Sequence, residues 1–199
     1  MMHEAVPAER PYGRRADAER NREAVLDHAE RLLSLDPAAG MAEIAAAARV
    51  GRATLYRHFP TREALIDAIV ARALVDVEHA IAASRLDEGT ASEALIRLIA
   101  ALFEMSDRYR FLFVQETFEP ARDRRCDMEG RFQKPILALF ERGRSSGEFP
   151  RELSANTLGA VFGGALVMVL HGVAGGRLEL AEGEAAVVST LLDGWRRQR

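Results

Sequence analysis

Residues 40–62, GMAEIAAAARVGRATLYRHFPTR, contain two short helical segments that predict how the N-terminal part of this chain folds. The first segment covers about 41–48 and the second about 52–58, with a break at Arg49-Val50-Gly51 between them. Longer helical patterns flank the pair on both sides. Two short helices joined by a turn of about three or four residues are the layout of a helix-turn-helix.

The composition indicates a folded chain of modest size. Its 199 residues suffice for one compact domain or two small ones, and 48% hydrophobic against 29% charged residues favours a buried core. The net charge of −3 excludes a protein that binds nucleic acid through basicity spread over its whole surface. A single cysteine excludes a disulfide scaffold. The N-terminus lacks the apolar segment of a secretory signal, so we expect a cytoplasmic protein.

Helical periodicity runs through nearly the whole chain and predicts an all-α fold of about nine helices. The first helix is predicted at 18–34 and is ended by Pro37, because proline cannot continue the hydrogen-bond ladder. Thr61 is a suitable N-cap for a long helix at 61–84. The remaining helices are predicted at about 91–107, 109–118, 127–146, 154–174 and 182–197.

The segment 161–176, VFGGALVMVLHGVAGG, is apolar enough to suggest a membrane span. It is shorter than the roughly 20 apolar residues that a bilayer requires, and it contains His171 and several glycines. A helix that is apolar all round is typical of a position between other helices or at a subunit interface. We therefore expect no membrane contact, and we expect the helices at 154–174 and 182–197 to form a homodimer.

The second short helix combines packing residues with residues that form hydrogen bonds. Leu55 and Phe59 stand four positions apart and are predicted to pack inward. The remaining positions carry Arg52, Thr54, Tyr56, Arg57 and His58. Between Glu43 and Glu63 the chain has four arginines and no acid, a charge pattern that suits a phosphate backbone. A helix of this size fits the major groove of DNA.

This segment resembles the DNA-binding domain of the TetR family of transcriptional repressors. The resemblance covers about residues 21–66 and rests on Ile44-Ala45, Val50, Thr54-Leu55-Tyr56-Arg57-His58-Phe59, Pro60 and Arg62-Glu63-Ala64-Leu65. Four positions differ from the family pattern. Arg49 stands at the usual turn glycine, Gly40 and Gly51 replace the usual hydroxyl-bearing caps of the two short helices, and Arg62 stands where lysine is usual. Glycine is a serviceable N-cap that costs about a few tenths of a kcal/mol relative to serine.

The resemblance implies a division of the chain into three parts. These are a flexible arm at 1–16, a helix-turn-helix DNA-binding domain at 17–62, and a regulatory domain for ligand binding and dimerisation at 63–199. The residues implied in DNA binding are Arg49, Gly51, Arg52, Thr54, Tyr56, Arg57, His58, Thr61 and Arg62.

Some of these implied contacts have structural alternatives. Tyr56 either contacts DNA or is a partly buried aromatic residue satisfied by one hydrogen bond. Arg10, Arg14 and Arg15 of the arm either reach the minor groove or belong to a solvated leader.

Aromatic residues are concentrated in the regulatory part. Eight of the nine phenylalanines fall between Phe103 and Phe162. Such a cluster either lines a pocket for a small apolar effector or forms ordinary core. The residues predicted to bind the effector are Phe103, Tyr109, Phe113, Phe132, Phe162, Met168 and His171.

Catalysis and metal binding find little support in the sequence. The five histidines show no metal-ligand spacing with cysteine or acidic partners, so we expect neither a metal nor another cofactor. No convergent set of acid, base and nucleophile indicates an enzyme. Cys126 follows two arginines, which favours a redox-sensing thiolate, but a lone thiol is more often incidental.

These features predict a homodimeric, ligand-responsive transcriptional repressor that binds a palindromic operator and is released by a small-molecule effector. An activator and a ligand-binding helical dimer that has lost DNA binding remain as alternatives. The positive charge is local, because residues 1–62 hold ten arginines against nine acids, whereas residues 63–199 hold 17 basic against 21 acidic residues.

Overall fold

The computed structural model describes residues 11–114 and 132–195, and within these ranges all regular structure is helical. This confirms the predicted all-α class. The nine helices of the described ranges are α1 (Pro11–Leu35), α2 (Met41–Ala47), α3 (Arg52–His58), α4 (Arg62–Ala83), α5 (Ala91–Ser106), α6 (Arg110–Val114), α7 (Lys134–Ser146), α8 (Ala155–Ala174) and α9 (Leu180–Trp195). The chain forms two compact units, residues 1–69 and 70–199.

The first helix is longer than predicted. It begins at Pro11 rather than at residue 18, so residues 11–16 of the predicted arm are helical. Proline is tolerated in a first helical turn because its missing N–H has no partner there. The following residues are rich in alanine, arginine and glutamate, which favour helix. Arg14 and Arg15 therefore lie in a helix rather than in a leader, and Arg10 lies outside the described residues.

The first unit has a small core built from α1, α2 and α3. The buried stripe of α1 has helical spacing and consists of Val25, Leu26, Ala29 and Leu33. Ile44 on α2 and Leu55 on α3 are completely buried beside it. Phe59 closes this core, and the Arg22 guanidinium lies over its ring at 5.5 Å from the centroid.

The turn between α4 and α5, residues 84–90, is held by two arginines from outside it. Arg97 on α5 and Arg142 on α7 donate five hydrogen bonds of 2.6–2.9 Å to backbone carbonyls of this turn. The accepting carbonyls belong to Ser84, Arg85, Leu86, Glu88 and Gly89. The turn keeps Arg85 at a φ of +46°, a left-handed conformation that glycine occupies more easily.

The core of the second unit lies among α5, α7, α8 and α9. Four aromatic rings pack within it, with neighbouring centroids 5.1–5.9 Å apart, and belong to Phe140, Phe149, Phe162 and Trp195. Phe149 lies directly on Gly143 of α7, where a Cβ atom would stand 2.1 Å from the ring. The absence of a side chain at Gly143 therefore allows the aromatic cluster to close.

Helix α8 is longer than the apolar segment 161–176 considered above. Its 20 residues are long and apolar enough to cross a membrane by length and composition, whereas segment 161–176 alone is too short. Core helices of soluble proteins pass the same test. Leu158, Phe162 and Leu170 of α8 are buried in the second unit, and other apolar residues of the helix are exposed.

The N-terminus of α5 is capped twice. Thr90 Oγ1 accepts from the Glu93 N–H, and the Glu93 carboxylate accepts from the Thr90 N–H. The Glu148 carboxylate accepts from the N–H groups of Ala91 and Ser92 at 3.1 and 2.8 Å. Partial burial raises the pKa of Glu148, but these hydrogen bonds outweigh it, so the pKa lies below its ordinary value of 4.5.

We predict that Glu148→Gln destabilises the fold by about 1–2 kcal/mol at pH 7, because an amide replaces a charged acceptor at a helix N-terminus. Since the folded-state pKa is lowered, the stabilisation by Glu148 is complete above its unfolded-state pKa. It is lost as the pH falls through the folded-state value. Urea unfolding followed by circular dichroism at pH 7 and pH 3 measures both effects. Glu104→Gln, an exposed change on α5, is the control, and a pH-independent difference between Glu148→Gln and the native chain would contradict the capping role.

A second prediction concerns the contact between Gly143 and Phe149. Gly143→Ala is expected to destabilise by about 1–3 kcal/mol, because the new methyl group would overlap the ring and displace it from the aromatic cluster. This loss outweighs the gain of about 0.5–1 kcal/mol that alanine brings to a helix interior. Gly194→Ala on α9, where a Cβ meets nothing within 4 Å, is the control. Equal unfolding midpoints for the two variants would disprove the close contact.

Candidate nucleic-acid interface

The two short helices begin at glycines that cap through their backbone. Gly40 precedes α2 in an extended conformation, and its N–H donates to the Glu43 carboxylate at 2.7 Å. Gly51 precedes α3 in the same way and has no side-chain cap. The residues that replace the usual hydroxyl caps therefore still start both helices at the predicted positions.

Arg49 ends α2 in a strained conformation. The N–H of Arg49 donates to Ala46 and the N–H of Val50 donates to Ala45, which together form a Schellman motif. This motif requires a left-handed residue, and Arg49 adopts it at a φ of +54°. A left-handed conformation costs a non-glycine residue about 1–2 kcal/mol. The chain therefore keeps an exposed arginine at the place where glycine would be unstrained.

Helix α3 divides into a packing side and an exposed side. Leu55 and Phe59 are 0% and 2% exposed, so their predicted packing role is confirmed. Tyr56 is 48% exposed, so about half of its surface is open to a partner. Arg52 and Arg57 are exposed as well.

The other predicted contact residues differ in exposure. Gly51 and Thr61 are exposed, whereas Thr54 and His58 are half-buried. The Nε2 atom of His58 is buried without a hydrogen-bond partner in the described structure, and its ring centroid is 6.3 Å from that of Phe59. Tyr56 and the neighbouring arginines are therefore more accessible to a ligand than His58.

Thr61 and Arg62 form the start of α4. Thr61 Oγ1 accepts from the Ala64 N–H at 3.1 Å, which confirms Thr61 as the N-cap. Glu63 lies in the first turn, and hydrogen bonds from its own N–H and the Thr61 hydroxyl lower its pKa. The Arg62 Nη2 atom donates to the Pro37 carbonyl at 2.7 Å, and its Nε to that of Ala39 at 3.5 Å.

The role of Arg62 is thus different from a simple phosphate contact. Its half-buried guanidinium braces the loop between α1 and α2, a role that sequence reasoning missed. The sequence held one signal of this bracing role, an arginine at a position where the TetR family usually has lysine. A planar guanidinium can donate to two carbonyls at once. Any phosphate contact by Arg62 has to use its remaining donors.

The exposed charged side chains near α3 are arginines that other described side chains do not engage. Arg49, Arg52 and Arg57 form no ion pair and no hydrogen bond with the described residues through their guanidinium groups. No acid occurs between residues 44 and 62. Together with Tyr56 they form what we call the α3 surface, which presents three free guanidinium groups and one phenol to a partner.

The residues predicted to bind the effector do not form a pocket together. Phe103, Tyr109 and Phe162 are buried in the second unit as core residues. Met168 is 67% exposed on α8. Phe132 and His171 are half-buried, and the Phe113 side chain lies outside the described residues.

Two cavities of the second unit are lined by described residues, and neither is lined by those predicted for the effector. The larger, which we call the α4–α7 cavity, has a volume of about 440 Å³. Its apolar lining consists of Ile81, Ala82, Leu86, Pro135, Ala138 and Leu139. The smaller, of about 200 Å³, lies between the α5–α6 corner and the α8–α9 turn. The effector site at the predicted residues therefore stays a prediction, because residues 115–131, which follow Phe113 and precede Phe132 in the sequence, lie outside the described part of the chain.

The described residues give no support for a metal site or a reactive thiol at this interface. Within the described ranges no group of three histidine, cysteine, aspartate or glutamate side chains is arranged to hold a metal ion. Cys126 lies outside the described residues, so its redox role stays a prediction.

Sequence comparison places the candidate interface in a known family. The family profile described as "Bacterial regulatory proteins, tetR family" matches residues 25–69. The HTH-type transcriptional repressor LfrR of Mycolicibacterium smegmatis is 36% identical over 99 residues, which are 49% of this chain and 51% of LfrR. An uncharacterized HTH-type transcriptional regulator of Mycobacterium tuberculosis is 60% identical over 50 residues, 24% of this chain and 25% of that protein. The chain thus matches about half or less of the length of these relatives.

Solved structures share the whole fold. LfrR from Mycobacterium smegmatis in complex with proflavine superposes with a TM-score of 0.70 at 21% identity, covering 90% of this chain and 99% of LfrR. The fatty acid degradation regulator FadR from Bacillus halodurans gives 0.72 at 19% identity, covering 96% and 100%. AibR in complex with isovaleryl coenzyme A and operator DNA gives 0.65 at 20% identity, covering 86% and 98%. Residues 25–69 therefore match the DNA-binding domain of the TetR family, and the described residues share the fold of these solved regulators.

Proposed function

We propose that this chain is a cytoplasmic, homodimeric repressor that places α3 in the major groove of a palindromic operator and is released by a small-molecule effector. The observation that carries the proposal is the α3 surface, with an exposed Tyr56 among three uncommitted arginines. Residues 17–62 would form the DNA-binding domain and residues 63–199 the regulatory domain.

Each group of the α3 surface has a distinct part in DNA binding. Arg52 and Arg57 are suited to phosphate oxygens or to guanine, which arginine binds in a bidentate way. The Tyr56 hydroxyl can donate to a phosphate, and its ring can contact a base edge. Arg49 lies in a strained turn whose geometry is held by two backbone hydrogen bonds, so its side chain starts from a defined place. Strain of this kind often accompanies a functional contact.

Homodimer formation is supported by an exposed apolar face on α8. Exposed small and apolar residues recur along it at helical spacing, namely Ala160, Val161, Gly164, Val167 and Met168. The neighbouring helix α9 exposes mostly small side chains, among them Ala185, Ala186 and Ser189. A second copy related by a two-fold axis would cover both faces, and two-fold symmetry in turn requires a palindromic operator.

Effector release requires that the regulatory domain moves α4. Asp76 on α4 accepts from the Tyr109 hydroxyl at 2.5 Å and from Arg108 Nη1 at 3.2 Å. These bonds tie α4 to the α5–α6 corner inside the second unit, so a displacement of the corner reaches α4. LfrR and AibR were both crystallised with small molecules, which supports an effector for this chain. A coupling of about 1–3 kcal/mol would lower operator affinity roughly 5- to 150-fold.

We predict that Tyr56→Ala weakens binding to DNA selected from a random pool by the native protein. The loss should be about 5- to 150-fold, since a good base or phosphate contact is worth about 1–3 kcal/mol. Gel-shift titration at fixed salt measures it, and circular dichroism checks folding. Arg151→Ala, which changes an exposed arginine of the second unit, is the control. Unchanged binding by Tyr56→Ala would remove Tyr56 from the interface.

The arginines of the α3 surface should determine the salt dependence of DNA binding. Arg52→Ala or Arg57→Ala is expected to reduce the slope of log affinity against log salt by about 1, because each removes one phosphate contact. Fluorescence anisotropy over a series of salt concentrations gives the slope. If the native protein shows no salt-dependent DNA binding at all, the chain is the helical dimer without DNA binding that the sequence left as an alternative.

The dimer face makes a separate prediction. Met168→Asp places a charge on the exposed face of α8 and is expected to convert the dimer to a monomer, because an unpaired charge would be buried between subunits. Sedimentation velocity distinguishes the two states. Val75→Asp, a comparably exposed change on α4, should leave the dimer intact. A dimeric Met168→Asp variant, or a monomeric native protein, would exclude this face as the interface.

A further inference from the structure

The α4–α7 cavity has the size and construction of a small-molecule site. Its volume of about 440 Å³ falls within the range of about 300–1,000 Å³ that such sites occupy, whereas the smaller cavity does not reach it. Ile81 and Leu139 are buried core residues that form its base. Ala82 and Ala138, on the two opposing helices, are exposed, and their short side chains leave the space between the helices open.

The wall at the end of the cavity is held rigidly. Leu86 and Asp87 belong to the α4–α5 turn and line this end. The Arg142 guanidinium, which also lines the cavity, donates to the Leu86 and Gly89 carbonyls at 2.7 and 2.6 Å. Arg97 binds the same turn from α5. A ligand therefore meets a wall that is already ordered, which lowers the entropic cost of binding.

The charges around the cavity favour a cation. Its lining contains two acids, Glu78 and Asp87, and two arginines, Arg85 and Arg142. The Arg142 guanidinium is used by turn carbonyls, and Arg85 Nη1 lies 3.4 Å from the Glu88 carboxylate outside the lining. The Asp87 carboxylate has no hydrogen bond and no ion pair with any described residue. Of the four charged side chains in the lining, only the Asp87 carboxylate therefore has no partner among the described residues, and an unpaired carboxylate favours a cationic ligand.

We propose that the α4–α7 cavity is the effector site and that it takes an amphiphilic cation, with an apolar body on Ile81 and Leu139 and an ammonium group at Asp87. This assignment rests on the proposed function, because an effector has meaning only for a regulator that binds DNA. The cavity is lined by none of the residues that the sequence predicted for the effector, of which Phe103, Tyr109 and Phe162 are buried in the core.

The position of the cavity explains how such a ligand would act. Glu78, Ile81, Ala82 and Arg85 all come from the C-terminal part of α4, and the same helix begins at Arg62 beside the candidate DNA-binding residues. A ligand between α4 and α7 favours conformations in which the two helices are farther apart. Any such change shifts the population of α4 conformations, and so the equilibrium between DNA-bound and free protein.

Three ligands that share one apolar chain and differ in headgroup test the proposal. Isothermal titration calorimetry with octylammonium, octanol and octanoate on the full-length protein is expected to give the tightest binding for octylammonium and the weakest for octanoate. Equal binding of all three, or tighter binding of octanoate, would disprove the cationic class. No binding of any of the three would overturn the site itself.

Variants locate the bound molecule. Ala138→Trp fills the cavity and is expected to lower octylammonium affinity by about tenfold or more, whereas Ala83→Trp, an exposed neighbour on α4 outside the lining, should not. Ala82→Leu is a milder filling variant in case the tryptophan disturbs folding. Asp87→Asn should lower affinity for octylammonium about 2- to 5-fold and leave octanol unchanged, with Glu88→Gln as control. Native-like octylammonium binding by both filling variants places the ligand elsewhere.

Gel shifts with the selected DNA separate this proposal from the proposed function. Octylammonium should release DNA from the native protein and fail to release it from Ala138→Trp. If the protein binds DNA but the filling variants respond as the native protein does, the cavity assignment is wrong and the regulator remains. If octylammonium binds the cavity but no DNA is bound at any salt concentration, the proposed function is wrong and the ligand site remains.

Discussion

The burial of Leu55 and Phe59 determines which side of α3 faces solvent. Leu55 lies within α3, a helix of only seven residues, and Phe59 is its C-cap, so burying both leaves the helix one orientation. Tyr56 and Arg52 must then lie on the open side. The Arg22 guanidinium over the Phe59 ring and the Arg62 brace on the α1–α2 loop support the same arrangement. The DNA-binding hypothesis depends on this orientation, because a rotation of α3 would bury the phenol and expose the leucine.

Arginine has several distinct roles in this chain. Arg97 and Arg142 bond five carbonyls of the α4–α5 turn and so hold one end of α4. Arg62 does the same for the α1–α2 loop. The guanidinium groups of the α3 surface form no hydrogen bond and no ion pair with the described residues. The planar guanidinium has five N–H donors, which suit binding to several carbonyls at once, and its positive charge suits binding to phosphate. The number of arginines alone therefore says little about function.

Sequence periodicity identified most helices and failed where distant contacts mattered. The bounds of α3 were predicted correctly because the break at Arg49-Val50-Gly51 before it and Pro60 after it are local signals. The start of α1 was missed because residues 11–16 were assigned to a polar arm, although a proline is tolerated in a first helical turn. The aromatic residues were assigned to a pocket because their number was visible but their packing was not. Phe149 reaches Phe140 and Trp195 only because Gly143 lacks a side chain.

The order of residues along the chain was enough to predict the all-α class, the helix-turn-helix and its resemblance to the TetR family, because these depend on patterns within about twenty neighbouring residues. Folding determined which arginines stay free and which become structural, since the carbonyls that engage Arg142 lie more than fifty positions away. It also determined where open space remains. A cavity forms where small side chains from α4 and α7 meet, and that meeting is a property of packing between segments distant in sequence.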